Sequence, residues 1–253
     1  MSDWPPVWIL FITFRRTEYA IQTLRALQTN LHYPNLHLHV CDDGSKLTDD
    51  GTDRNHIEVL KEYWPDSSFH EMSTPWGEFN MGGNTNRGIK LAQEQGVDYY
   101  FLVHDDTVLQ SPLDLKPYVC ILSEYLQTGM IRLNYLAGGL AGHFVGYKAS
   151  KLGQEITFLR IIREWSTQSP WLNNNYTSAF QPTLVHRRFY DSYGLYPENL
   201  HPGLTECGMC SQYNFSPLGE DGPQILAPLH HWPMDVKWNH VTGRAHYYKE
   251  LTK

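Results

Sequence analysis

The sequence predicts an α/β fold with a mostly parallel central sheet flanked by helices. Three observations carry that reading. Apolar, β-prone runs recur at residues 7–14, 36–41 and 99–103, and continuous runs of this kind are strands buried on both faces. Segments with apolar residues at helical spacing separate them, which supplies the crossovers that parallel strands need. Each run also stops abruptly in polar residues: Thr13-Phe14-Arg15-Arg16, Cys41-Asp42-Asp43-Gly44-Ser45 and His104-Asp105-Asp106. In open α/β sheets the ligand crevice lies outside the carboxyl ends of the strands.

The elements follow in order. Arg15-Arg16-Thr17 breaks the first strand, and Thr17 is expected to cap the next helix, with Glu18 in its first turn. Ala20, Ile21, Leu24, Leu27 and Leu31 form that helix's face against the sheet. Tyr33-Pro34-Asn35 is a turn, and in the second strand His37 and His39 are expected on one half-exposed face. A polar loop over 46–56, a short helix over 57–64, a weak strand over 68–72 and a Gly-rich loop over 75–83 come next. A helix is expected over 84–95 with Gly96 as its C-cap. It precedes the strand that stops at His104.

Past Pro112 the rhythm changes. A helix is expected over 113–126, and the Gly-rich stretch 130–147 reads as strand, turn at Gly138-Gly139, and strand. Residues 150–178 show little periodicity; Trp165 and Trp171, with Trp76, are candidates for stacking on a sugar. A strand over 183–185, a short helix over 187–193 closed by Gly194, a helix around 207–213 and a strand over 224–228 complete the reading.

Composition weighs against some partners. With a net charge of -7 over 253 residues, no basic field draws the chain onto nucleic acid or anionic lipid. The apolar run 7–13 is too short to span a bilayer. Asp3 and two prolines before it and two arginines after it do not fit a signal peptide. The expectation is a soluble, cytoplasmic chain with no transmembrane segment. Of the 4 cysteines only Cys207 and Cys210 have CxxC spacing. No second CxxC completes a structural zinc site, so buried free thiols are expected.

The polar strand ends suit nucleotide chemistry. A carboxylate accepts hydrogen bonds from a nucleobase N–H or from ribose hydroxyls, and arginines pair with phosphates. An Asp pair holds Mg²⁺ or Mn²⁺, which neutralises a diphosphate. Neither a P-loop nor a G-x-G-x-x-G follows the first strand, so neither of those phosphate sites is supported.

The order of these motifs resembles the family 2 glycosyltransferases of the GT-A fold. Phe11-Ile12-Thr13-Phe14-Arg15-Arg16-Thr17-Glu18-Tyr19-Ala20 matches that family's I-P-T-Y-N-R-P-E-Y-L segment. Cys41-Asp42-Asp43-Gly44-Ser45 matches V-D-D-G-S, Asn84-Thr85-Asn86-Arg87-Gly88-Ile89 matches the end of G-x-x-x-A-R-N-x-G-I, and His104-Asp105-Asp106 matches the D-x-D region. The likeness covers residues 7–112. Beyond it only Arg187-Arg188-Phe189-Tyr190-Asp191 with Gly194 fits loosely.

The resemblance implies a single GT-A domain over 1–253, with a nucleotide-sugar-binding half over 1–112 and an irregular acceptor-side half over 113–253. It implies a UDP-linked sugar donor and Mn²⁺ or Mg²⁺ as cofactor. Asp43 would contact the nucleobase. Thr13, Arg15, Arg16 and Asn86 would line the nucleotide-sugar pocket, and Asp105 would sit near the ribose. Asp106 would bind the metal with a C-terminal histidine, His240, or else His230 or His231. An acceptor-side carboxylate would be the general base of an inverting transfer. Glu206 is the first choice, although Cys207 stands where the family has Asp, and Asp221 of Glu220-Asp221 is the second. His104 replaces the first Asp of D-x-D, Ile12 the usual Pro and Arg15 the usual Asn. Two rivals remain: a sugar-1-phosphate nucleotidyltransferase, and a non-catalytic nucleotide- or carbohydrate-binding protein on the same fold.

Overall fold

The seven residues VWILFIT form β1 (Val7–Thr13), and all but Trp8 are buried. In the computed structural model, residues 3–45, 54–72, 80–133, 142–161, 182–228 and 238–240 are described. From β1, α1 (Thr17–Asn30) leads through β2 (Leu31–His32) to β3 (Leu36–Asp42). Then α2 (His56–Tyr63) precedes β4 (Ser68–Glu71), and α3 (Met81–Glu94) precedes β5 (Tyr99–His104). The chain continues as β6 (Thr107–Leu109), β7 (Leu113–Asp114), α4 (Lys116–Glu124), β8 (Thr128–Arg132), β9 (Gly142–Ala149) and β10 (Gln154–Ile161). The last described elements are β11 (Thr183–His186), α5 (Arg188–Tyr193), α6 (Pro202–Asn214), β12 (Gln224–Pro228) and β13 (Trp238–His240).

Nine of these strands form one sheet in the order β4-β3-β1-β5-β11-β8-β12-β10-β9. The first four are mutually parallel, as the strand–helix alternation requires. β11 runs against both its neighbours, β5 and β8, while β12 is parallel to β8. Alternation along the strands splits the core into two layers. Ile9 and Phe11 face α1, α2 and α4, whereas Leu10 and Ile12 face α3, α5 and α6.

Several local expectations are corrected. Thr17 is the first residue of α1 rather than its cap, and its hydroxyl reaches His56 Nδ1 at 2.8 Å. His39 is buried rather than half-exposed. α3 begins three residues earlier than the spacing suggested, because the Asn80 side chain accepts from the Gly83 amide and caps it. α4 begins at Lys116, after β7 pairs with β2. β10 occupies part of the stretch that showed little periodicity. It is paired on both sides, with β9 through the turn at Gly153 (φ 63°) and with β12. Trp76, Trp165 and Trp171 lie outside the described residues.

The start of α3 is held by a close approach. A Cβ added at Gly82 would stand 2.1 Å from the Pro197 carbonyl oxygen. Gly82→Ala is therefore expected to destabilise the fold by about 1–3 kcal/mol through overpacking. Chemical denaturation checks this, and an unchanged midpoint would show that the α3–Pro197 contact yields freely.

Candidate functional site

Parallel pairing brings three polar strand ends to one edge. Thr13 lies opposite Asp42 and Ile12 opposite His104. The Asp43 amide donates to the Thr13 carbonyl at 3.0 Å, and the Asp105 amide to the Ile12 carbonyl at 3.1 Å. The loops that leave β3 and β5 are thus pinned to the end of β1.

Asp105 is fully buried, and its acceptors are taken by protein donors. Its Oδ2 accepts from Thr13 Oγ1 at 3.0 Å and from the Phe14 amide at 3.1 Å; its Oδ1 pairs with Arg16 Nη2. The same guanidinium gives Nη1 to Asp106 Oδ2 at 2.7 Å. Burial raises the Asp105 carboxyl above the usual carboxylate range, the Arg16 charge opposing and Asp106 adding to the shift. Asp105 therefore anchors the edge, which argues against its expected role beside a ribose.

Behind it lies a residue that the sequence reading passed over in the polar loop. His56 is buried, with Nε2 3.0 Å from Thr13 Oγ1. Thr13 donates its proton to Asp105, so it accepts from His56 Nε2–H, while His56 Nδ1 meets the Thr17 hydroxyl at 2.8 Å. The chain His56–Thr13–Asp105 is fixed in one direction. Thr13 enters the site as a support for the carboxylate.

The two acids at the end of β3 divide their work. Asp42 is fully buried and accepts from the Gly44 and Ser45 amides at 3.1 and 2.8 Å and from Ser45 Oγ. It closes the turn. Asp43 is less enclosed, and its Oδ1 is buried without a hydrogen-bond partner among the described residues. Burial, with Asp42 adding, raises its carboxyl to about 7 against an opposing hydrogen bond from the Asn80 backbone. An orphaned acceptor costs about 1–3 kcal/mol. It is relieved by a ligand that donates.

Arg15 stands beside them at φ 61°, with its amide donating to Ser45 Oγ at 2.7 Å. Left-handed backbone is unfavourable for Arg and tolerated by Asn. This gives a physical reason for the Asn that the family pattern carries there. The Arg15 guanidinium lies 5.5 Å from the centre of the Phe14 ring.

On the far side of β5, Asp106 is buried at the edge, and β6 follows it. β13 pairs with β6 so that His240 is opposite Thr107, one residue past Asp106. His230 and His231 lie outside the described residues.

The remaining candidates separate. Glu206 is half-buried early in α6, where its charge acts on the buried Arg132 at the end of β8. Burial lowers the Arg132 pKa, against the charges of Cys210 and Glu206. Arg132 is a second residue missed in the sequence, where the only signal is a cation ending the run Met130-Ile131. Asp221 is corrected. It precedes β12, whose start pairs with the start of β8, so it lies at the sheet edge opposite Asp43 and Asp106. Asn86 is also corrected. Its amide nitrogen donates to the Tyr196 carbonyl and to Glu198 at 2.8 Å each, and its oxygen accepts from the Tyr196 amide. It tethers the segment that leads into α6 instead of facing a ligand. All four cysteines are buried and outside any disulfide, as expected.

No protein-family model matches the sequence, and no curated protein matches it at a significant level. Solved structures do match the fold. A structure of S. aureus TarS (1-349) aligns with a TM-score of 0.56 at 12% identity, over 88% of this chain and 57% of that one. GalNAc-T7 with UDP, GalNAc and Mn²⁺ aligns at 0.52 and 11% identity, over 90% of this chain and 43% of that one. Both are glycosyltransferases with a GT-A-like fold. This chain has a GT-A-like fold. A longer TarS structure aligns at 0.59 over 96% of this chain but only 38% of its own length. The chain thus spans about half or less of these neighbours, and the GT-A-like domain is what they share with it. No described helix is long and apolar enough to cross a membrane.

Proposed function

We propose that the chain is a glycosyltransferase that moves a sugar from a nucleotide-diphosphate donor, UDP-linked, to an acceptor hydroxyl. The observation that carries this reading is the convergence of Asp43, with its orphaned carboxylate oxygen, and the Arg16–Asp106 pair at one sheet edge. Asp43 accepts a nucleobase N–H. Arg15 pairs with the phosphates, and Arg16 holds the two acids beside them. The GalNAc-T7 structure that shares the fold holds UDP, GalNAc and Mn²⁺, which supports a donor of this class.

A divalent cation fits the residues on this edge. The Asp106 carboxylate already binds a cationic group, and the His240 strand runs beside it. Carboxylate with imidazole suits Mn²⁺ better than Mg²⁺. Asp106 and His240 would hold the ion, and it would neutralise charge on the leaving diphosphate. In the transfer itself Glu206 takes the acceptor's hydroxyl proton. The acceptor oxygen then bonds to the anomeric carbon, and the bond from that carbon to the diphosphate oxygen breaks, its electron pair leaving with the diphosphate. Attack from the acceptor face inverts the anomeric centre.

Titration calorimetry with UDP, with and without Mn²⁺, tests the reading, followed by assays of sugar-nucleotide hydrolysis and transfer. UDP is expected to bind at least ~10-fold tighter with Mn²⁺, and Asp106→Asn to remove that gain. Equal affinity with and without Mn²⁺ would overturn the metal assignment. Tight binding with no turnover across donors and acceptors would instead favour a binding protein, the reading that Cys207 in place of the usual Asp keeps open.

A further inference from the structure

On its α3 side, β3 carries a second cluster. His37, His39 and Cys41 alternate along one face of the strand, with His70 beside them on β4 and Asn84 above them on α3. His39 (3% exposed), His70 (6%), Cys41 (0%) and Asn84 (0%) are buried. One nitrogen from each of His39 and His70 and the Cys41 sulfur lie within 4.8 Å of one another.

The far sides of both rings are spoken for. The Asn84 Nδ2 donates to the Cys41 carbonyl at 3.0 Å, which turns its Oδ1 toward His70 Nε2 at 2.7 Å. His70 Nε2 therefore carries a proton, and its Nδ1 presents a lone pair inward. His39 Nδ1 meets Ser68 Oγ at 2.7 Å, and His39 Nε2 faces His70 Nδ1 at 2.8 Å. Metal-binding histidines are oriented in this way, each outer N–H held by an oxygen while the inner nitrogen ligates. The three inner atoms converge with no carboxylate among them. Gly88 lets α3 approach the sulfur closely, since a Cβ there would stand 2.7 Å from Cys41 Sγ.

We propose that His39 Nε2, His70 Nδ1 and the Cys41 thiolate form a binding site for a borderline-soft divalent metal ion, with Zn²⁺ as the occupant. On binding, the Cys41 S–H proton is released to solvent and His39 shifts its proton from Nε2 to Nδ1, donating to Ser68. The two ring nitrogens, 2.8 Å apart around a shared proton, move slightly apart to ligate the ion in its place. Two imidazoles and a thiolate select Zn²⁺ or Co²⁺ over Mn²⁺ or Mg²⁺, which prefer oxygen. This site is separate in chemistry and place from Asp106. Cys41 immediately precedes Asp42 and Asp43 in sequence, so an ion there braces the strand end that presents the nucleobase carboxylate.

The test is metal analysis of the full chain produced in zinc-supplemented medium and dialysed. About one Zn²⁺ per chain is expected for the wild type and for Asp106→Asn, and a several-fold lower content for Cys41→Ser. Protein produced with Co²⁺ is expected to show a near-ultraviolet thiolate-to-metal charge-transfer band. Wild-type protein with no zinc and no such band overturns the proposal whether or not Cys41→Ser folds. So does zinc that disappears in Asp106→Asn and persists in folded Cys41→Ser.

Discussion

Replacing Arg16 with Met is expected to destabilise the ligand-free protein by about 3–5 kcal/mol, the cost of leaving buried carboxylates without their cation. The Arg16 guanidinium spans Asp105, fully buried, and Asp106. Of the influences on Asp105, only the Arg16 charge and its hydrogen bonds resist the upward push of burial. Without Arg16 the Asp105 carboxyl rises further above its unfolded value. The folded state then holds a proton that the unfolded state releases, so stability rises as pH falls toward that unfolded value. The deficit is thus largest at about pH 8 and shrinks at about pH 5. Mn²⁺ separates this effect from simple loss of packing. In the wild type a divalent ion must compete with the guanidinium for Asp106, whereas in Arg16→Met it meets two acids that have lost that cation. Mn²⁺ should therefore raise the melting temperature of the variant more than that of the wild type. Thermal melts at both pH values, with and without Mn²⁺, decide the matter. A variant as stable as the wild type, or one indifferent to Mn²⁺, would mean that the two acids need no cation.

Much of the edge was legible because it is a property of strands. Continuous apolar runs announce parallel strands, parallel strands align their ends, and Thr13, Asp43 and Asp106 follow from where the runs stop. What each side chain does there was less legible. Nothing in Asp42-Asp43 says which acid turns inward; the turn geometry decides, because the Gly44 and Ser45 amides reach back to Asp42. His56 was hidden because its partners, Thr13 and Thr17, are about forty residues away and the contact is made by tertiary packing. Asp221 misled because an acidic pair is a local signal, while the edge on which it falls depends on the direction of β12. The β10 strand was missed for a related reason. Its alternation is half-buried and its stability comes from cross-strand neighbours on β9 and β12, which no local window contains.

The division between Asp42 and Asp43 leads to the second large effect. Asp43→Asn should make the ligand-free protein more stable at about pH 8, by about 1–3 kcal/mol, while weakening UDP binding at least ~10-fold. The two effects share one cause. The Asp43 carboxyl is raised to about 7 by burial and by the neighbouring Asp42 charge. A raised acid is a folded-state liability that grows as pH rises from the unfolded value through about 7, and an amide in its place escapes it. Binding runs the other way. An ionised carboxylate accepts a nucleobase N–H, and Oδ1 is the oxygen without a partner among the described residues. Wild-type UDP affinity should therefore be highest above about pH 7 and fall by up to ~10-fold per pH unit below it, as the carboxyl must lose a proton before it can accept. The Asn variant should bind weakly with no such slope. Calorimetric titrations of both proteins at several pH values test this, paired with denaturation at about pH 8. Should the wild type bind UDP equally well on both sides of pH 7, Asp43 would not be the group that receives the base. If Asp43→Asn also failed to stabilise the free protein, the orphaned oxygen would carry no strain for a ligand to relieve.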